Sequence, residues 1–207
     1  MAKVWGLAVV TSFIIGFGLG IISALKSDRW PDRLCMFIST LGITIPSFVI
    51  SALLIYIFAS KMRILPTTGL DNWKSYIMPV IALAGSSTAF ITRLTRSKLI
   101  DVMKSDYIRT AKAKGLSKRT VIFKHALKNS IIPVVTYLGP LVAGILTGSF
   151  VVEKIFSIPG LGKEFVSNVN TRDYSALLGV IVFYSVLIVI CNLDVDLLYV
   201  AKDPRIK

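Results

Sequence analysis

The charged residues of this 207-residue chain are confined to part of it, and the places they avoid decide what it can fold into. Five windows contain no Asp, Glu, Lys or Arg: 4–25, 34–60, 75–92, 129–152 and 174–193. They are 22, 27, 18, 24 and 20 residues long. About 20 apolar residues in a helix cross the hydrocarbon core of a bilayer. The pattern therefore predicts an all-α integral membrane protein, one domain over 1–207, with five transmembrane helices. Their expected ranges are about 4–25, 34–60, 75–99, 129–152 and 174–200, with a cytoplasmic segment at about 100–128. The window 75–92 is the weakest, being short and rich in Ser, Thr and Ala. Composition agrees with a membrane protein: 17% of residues are charged, against about 25% in soluble domains. Mean hydropathy is +0.72. Cys35 and Cys191 both lie in apolar runs and form no paired motif that would indicate a disulfide framework or metal site.

The basic residues orient the helices. Loops alternate sides, and one side holds the 26–33 loop, the 93–128 segment and the C-terminal tail. That side carries 17 of the 24 Lys and Arg residues. The excess marks the cytoplasmic face, which puts the C-terminus inside and Met1 outside. The net charge of +13 is explained by this asymmetry, and no nucleic-acid partner is expected.

Several segments carry local signals. Gly16, Gly18 and Gly20 mark a helix-packing face in the first span. The alternative that 4–25 is a cleaved signal peptide fits poorly, because the run is long for one. Pro46 is expected to kink the second span, and the bend either serves packing or lines a cavity. Pro79 opens the third. Within 93–128 there are 11 basic and 2 acidic residues. Ile100, Met103, Tyr107 and Ala111 recur at helical steps, Asp106 is placed to cap a short helix, Gly115 to end it, and Ser117 to cap the next. The segment reads as helix, sharp turn, helix, either a solvated basic loop or a docking element for a partner groove. The fourth span holds Pro133, Pro140, Gly139, Gly144 and Gly148, with Asn129 near its inner end, and is expected to be deformable. The turn Ile158-Pro159-Gly160-Leu161-Gly162 is flanked by apolar residues and is expected to fold back onto the bundle. Asp194 and Asp196 fall near the inner end of the last span, where they can pair with basic residues. The sequence has no catalytic triad pattern around its one histidine, His125, no phosphate-binding loop and no metal-binding motif, so an enzyme reading is weak.

The stretch DYIRTAKAKGLSKRTVIFKHALKNSIIPVV resembles the cytoplasmic coupling segment of bacterial ABC-transporter permeases. GITIPSFVISALLIY around Pro46, FVVEKIFSIPGLGKEF at 150–165 and the terminal DLLYVAKDPRIK support the resemblance in the same order. The nearest subfamily is the B-type permease of oligopeptide, dipeptide and nickel import. The resemblance covers essentially the whole chain. It implies the type I importer permease (MetI-like) fold, and transport of di- or oligopeptides by alternating access, with nickel as the alternative cargo. It implies as partners two ABC ATPase subunits holding ATP and Mg, a second permease subunit, an extracytoplasmic substrate-binding protein and membrane lipid. The chain itself would bind no cofactor and no metal, and would reside in the bacterial cytoplasmic membrane. The implied coupling residues are Asp106, Tyr107, Arg109, Thr110, Ala111, Ala113, Gly115 and Leu116, with small Ala111 and Ala113 allowing close approach to the partner. The outer gate would use Glu153, Ile158, Pro159, Gly160, Leu161 and Gly162, and the kink or pore positions are Pro46 and Pro133. Arg109 stands where the general permease motif has glutamate, and Asp194 where an apolar residue is usual. The family ordinarily has one further N-terminal helix and a large outer segment, which this sequence lacks. A non-transporting membrane scaffold or permease remnant, its basic loop bound to anionic lipid, is the rival from another class. A self-contained channel or proton-coupled carrier has only Asp194 and Asp196 in its favour.

Overall fold

Small residues at every fourth position determine how the first helix packs. In the computed structural model, which describes residues 2–70, 72–147 and 150–202, α1 spans Ala2–Leu25. Its buried residues are Val4, Ala8, Ser12, Gly16, Gly20 and Ser23. Four-residue steps put these on one stripe, and that stripe lies against α4, Ile77–Lys104. A methyl group added at Gly16 would sit 2.8 Å from both the Ile91 side chain and the Thr88 carbonyl. At Gly20 it would sit 2.5 Å from Thr95 Cβ. Backbones approach this closely because lipid gives no hydrophobic force between helices, and van der Waals contact must supply the association. Gly18 has open space around it. Two residues along a helix is about half a turn, so Gly18 faces away and does not belong to the packing face the sequence suggested.

The window 75–92 was the least convincing span, yet α4 is the most enclosed. More than half of its apolar stretch is buried within the chain, whereas none of that of α12 (Tyr174–Lys202) is. A helix wrapped by protein needs less apolar surface than one bathed in lipid, which accounts for the Ser, Thr and Ala content. A 3₁₀ turn, Trp73–Tyr76, leads into α4, capped by Asn72, whose side chain accepts from the Lys74 N–H at 2.8 Å. The 28 residues of α4 run about 42 Å, longer than the bilayer core of about 30 Å.

Two of the expected spans are not continuous helices. The region 34–60 forms α2, Trp30–Thr44, and α3, Ser47–Leu54, with α3 continuing as a π-helical segment, Ile55–Lys61. The two halves meet at 102°. Ile45 is extended (φ −84°, ψ 120°) because the ring of a following proline excludes the α region. The result is a full break where a kink was expected. The region 129–152 is divided among α7 (Leu127–Ser130), α8 (Ile132–Thr136), α9 (Leu138–Thr147) and the start of α10 (Phe150–Ile155). Pro133 and Pro140 each lack an N–H and crowd the carbonyl four residues back. Among the described residues three helices are thus long and apolar enough to cross a membrane, or four if the bent α2–α3 pair is one span.

The remaining elements are short. On the cytoplasmic side, by the basic-residue orientation, lie α5 (Asp106–Ala113), α6 (Lys118–Thr120) and a π-helical segment, Val121–Ala126. On the other side α11 (Leu161–Thr171) follows α10 and leads to α12. The main core cluster includes Met78, Leu83 and Ile91 of α4, Val134, Leu141 and Ile145, and Phe156 and Ile158. A second, smaller cluster of Leu99, Ile108, Ala111, Val121 and Ala126 lies under α5. The side chains of Asp194 and Asp196 lie outside the described residues.

Candidate functional site

The end that the basic residues mark as cytoplasmic is built on α5. A single extended residue, Ser105 (φ −68°, ψ 155°), joins α4 to α5. Ser105 holds the N-cap position, so Asp106 is the first helical residue and not the cap expected of it. The single face expected from Ile100 to Ala111 is likewise broken at Ser105. The Asp106 carboxylate still accepts from the Arg109 guanidinium at 3.5 Å and complements the helix dipole. The other end follows the expected chemistry closely. Gly115 has φ +76°, its N–H donates to the Lys112 carbonyl at 3.0 Å, and the Leu116 N–H donates to the Ala111 carbonyl at 3.4 Å. These two bonds are a Schellman turn. Ser117 then caps the next helix, its Oγ accepting from the Thr120 N–H at 3.2 Å.

The faces of α5 divide sharply. Ile108 and Ala111 point inward onto Leu99, Val121 and Ala126. Ala111 therefore packs against its own chain and is not available to a partner, because it lies one turn from Ile108 on the apolar stripe. Asp106, Tyr107, Arg109, Thr110, Ala113, Gly115 and Leu116 are exposed. Tyr107 is also anchored, its hydroxyl accepting from Asn129 Nδ2 at 2.8 Å. The outward surface is a short, amphipathic, mainly basic helix fixed at both ends, which is the form of a peg for a partner's groove.

Next to this peg lies a polar cluster that the sequence did not reveal. Asp32, in the first turn of α2, is buried. Arg96 of α4 donates to it twice, Nε to Oδ1 at 2.6 Å and Nη2 to Oδ2 at 2.7 Å. The Asp28 N–H donates to Oδ2 at 2.8 Å and the Ser23 hydroxyl of α1 donates to Oδ1. A bidentate guanidinium–carboxylate pair is strong and directional, and it ties α1, the turn after it, and α2 to α4. Higher up, Arg93 Nη2 donates to Thr40 Oγ1 at 2.6 Å. The partners of the ion pair are 64 residues apart, and no local pattern announces such a pairing.

The outer end is organised around Glu153. It is almost wholly buried, and its Oε2 accepts from the Gly162 N–H at 2.9 Å. Its backbone carbonyl accepts from the Ile158 N–H at 2.9 Å. Ile158 is buried in the main core, whereas Pro159 is exposed and Gly160 and Leu161 are partly covered. A Cβ at Gly162 would fall 2.3 Å from that of Phe150, so only glycine fits. The loop of residues 62–72 joins this hairpin through the Gly69 N–H, which donates to the Phe156 carbonyl at 3.2 Å. The outer residues named from the sequence are thus brought together as a hairpin folded onto the bundle. Pro46 and Pro133 stand apart from both ends, Pro46 at the α2–α3 break and Pro133 at the start of α8. Among the described residues no group of three His, Cys, Asp or Glu is placed to hold a metal ion.

Comparison with known proteins places this geometry. Residues 16–207 match the family model described as the binding-protein-dependent transport system inner membrane component. The dipeptide transport system permease protein DppB of Bacillus subtilis (strain 168) is 50% identical over 200 residues, 97% of this chain and 65% of that protein. The glutathione transport system permease protein GsiC of Escherichia coli (strain K12) is 44% identical over the same shares. The chain spans about two thirds, 65%, of the length of these relatives. Among solved structures, the MetNI methionine ABC transporter in inward-facing conformations aligns with a TM-score of 0.76, 15% identity, and coverage of 96% of this chain and 91% of that one. An amino acid ABC transporter crystallised with histidines aligns with a TM-score of 0.73, 16% identity, and coverage of 95% and 88%. At these identities the structural matches speak for the fold alone.

Proposed function

Since the chain belongs to the family of binding-protein-dependent transport system inner membrane components, we propose that it is a permease subunit of an ATP-driven importer for di- or oligopeptides. The observation that carries this reading is α5, an exposed helix fixed at both ends, fed directly by the longest enclosed helix of the molecule. The names of the relatives, dipeptide and glutathione permeases, support peptides as the cargo class. A permease of this kind works with two ATPase subunits that bind ATP and Mg, a second permease subunit and an extracytoplasmic binding protein. It lies in the cytoplasmic membrane with its C-terminus inside, as the basic loops indicate.

The mechanism rests on which parts move together. A push on α5 passes through Ser105 to α4. The Asp32–Arg96 pair and the contacts at Gly16 and Gly20 make α1 and α2 follow α4. The breaks at Pro46 and around Pro133 allow α3, α8 and α9 to lag behind. Relative motion across those breaks opens the pathway to one side or the other, and the free energy of nucleotide binding is linked to that motion. Residues 153–162 form the outer gate in this scheme.

The test is uptake of a radiolabelled dipeptide and of labelled glutathione by the native host, lacking its own copy of the gene and complemented with wild type or Gly115→Val. Wild type restores uptake, and the variant, strained at φ +76°, loses most of it. Equal uptake by both overturns the coupling role of α5. Uptake of nickel but not peptide replaces the cargo.

A further inference from the structure

A cavity of about 200 Å³ lies where the broken segments meet α4. Ser47 enters it from the first residue of α3, Ser86 and Ser87 from α4, and Tyr137 from the joint between α8 and α9. Pro140 and Gly144 of α9 are also in its wall. Irregular backbone at membrane depth persists only where protein buries it or where it lines a wet cavity. Here the α2–α3 break and the α8–α9 joint open onto the same space.

The hydroxyls in this cavity differ from those elsewhere. Ser12, Ser51, Thr92 and Ser185 each donate to a carbonyl of their own helix. No such bond occupies Ser86, Ser87 or the Tyr137 hydroxyl among the described residues, and Phe90 stacks on the Tyr137 ring at 4.1 Å and holds it in place. Among the described residues no charged side chain is in the lining. The larger neighbouring cavity of about 380 Å³, between α1, α2 and α4, is walled mainly by Ile, Leu, Ala and Gly. It offers few groups to a polar guest.

We propose that Ser47, Ser86, Ser87 and Tyr137 form a substrate-contact station that recognises backbone amides of a passing peptide rather than its charged ends. Each hydroxyl both donates and accepts, so each can serve an amide N–H or a carbonyl whatever the peptide's side chains. With no cation or anion among the described residues of the wall, the station holds a peptide weakly and without regard to its sequence, which suits transit. The proposal rests on the permease reading.

The experiment compares uptake of a labelled dipeptide with that of its analogue methylated on the peptide nitrogen. Wild type, the triple variant Ser86→Ala, Ser87→Ala, Tyr137→Phe, and the control Ser86→Thr, Ser87→Thr are tested in the native host. Co-purification of ATPase subunits with each chain reports assembly. Wild type favours the unmethylated peptide. The triple variant assembles, its KM for the unmethylated peptide rises roughly tenfold, and its preference over the methylated analogue disappears. The threonine variant, which keeps both hydroxyls, retains the preference. An assembled triple variant with unaltered KM and preference overturns the station while leaving the permease reading intact. Absence of uptake by wild type overturns the permease reading, and the station with it.

Discussion

Two buried carboxylates hold the two ends of this molecule, and they do so differently. At the inner end Asp32 is held by a guanidinium, a hydroxyl and a backbone N–H drawn from α1, the following turn and α4. At the outer end Glu153 accepts from the Gly162 N–H nine residues on and so closes a hairpin turn. The first arrangement locks separate helices into a unit. The second closes the turn of a hairpin through a backbone N–H. The proposed drive from the cytoplasm draws on the first arrangement, a stiff connection from α5 and α4 into α1 and α2.

Removing Arg96 breaks the inner lock most severely. Arg96→Ala leaves Asp32 buried without its charge partner, at a cost of about 3 kcal/mol, and thermal unfolding in detergent should show a large drop. Asp32→Asn with Arg96→Met, which removes both charges, should recover much of it. If the single variant unfolds like wild type, the inner end is not a locked unit.

The outer end gives the next effect. Gly162→Ala places a methyl group 2.3 Å from Phe150 Cβ, an overpacking of about 2 kcal/mol. The expected result is loss of uptake with normal recovery of the chain and of its ATPases, because the hairpin distorts while the inner unit stands. Loss of ATPase co-purification would show that the two ends are not separable.

At the coupling turn, Gly115→Val meets no steric obstacle but must adopt φ +76°, a strain of about 1–2 kcal/mol. Protease sensitivity of the 114–117 turn in membrane vesicles should rise while the spanning helices stay protected. Tyr107→Phe removes the acceptor for Asn129 Nδ2 and costs about 1 kcal/mol, read as a modest decrease in coupled ATPase rate. Gly18→Ala sharpens the comparison from the other direction. With open space at that position, thermal stability should change by less than about 0.5 kcal/mol, whereas Gly20→Ala, whose methyl would sit 2.5 Å from Thr95 Cβ, should be clearly destabilising.

What the sequence revealed was local chemistry. Gly115 and Ser117 act through their own backbone neighbourhoods, so the turn after α5 could be read residue by residue. The extended conformation before Pro46 and the hairpin after Glu153 were visible in part for the same reason, although the 102° break exceeds the kink that proline alone suggests. Hydropathy located the apolar segments but misjudged their surroundings: it rated 75–92 lowest, and that helix is the most enclosed. Ala111, which the resemblance assigns to the partner contact, packs on its own chain, and spacing alone cannot tell which side of a short helix meets the protein. The Asp32–Arg96 pair was out of reach, since only the folded arrangement of α2 against α4 brings them together.

The central claim is that α5 is the surface through which an ATPase drives this chain. It is tested most directly by placing a photo-crosslinking benzoylphenylalanine at Ala113, which is exposed on the outward side of α5, in the chain expressed in its native host. Irradiated membranes should yield a crosslinked product in which mass spectrometry identifies peptides of an ABC ATPase, with a yield that changes when ATP is added. Crosslinks to lipid alone, with no ATPase peptide at any nucleotide state, would contradict the account and favour a membrane scaffold.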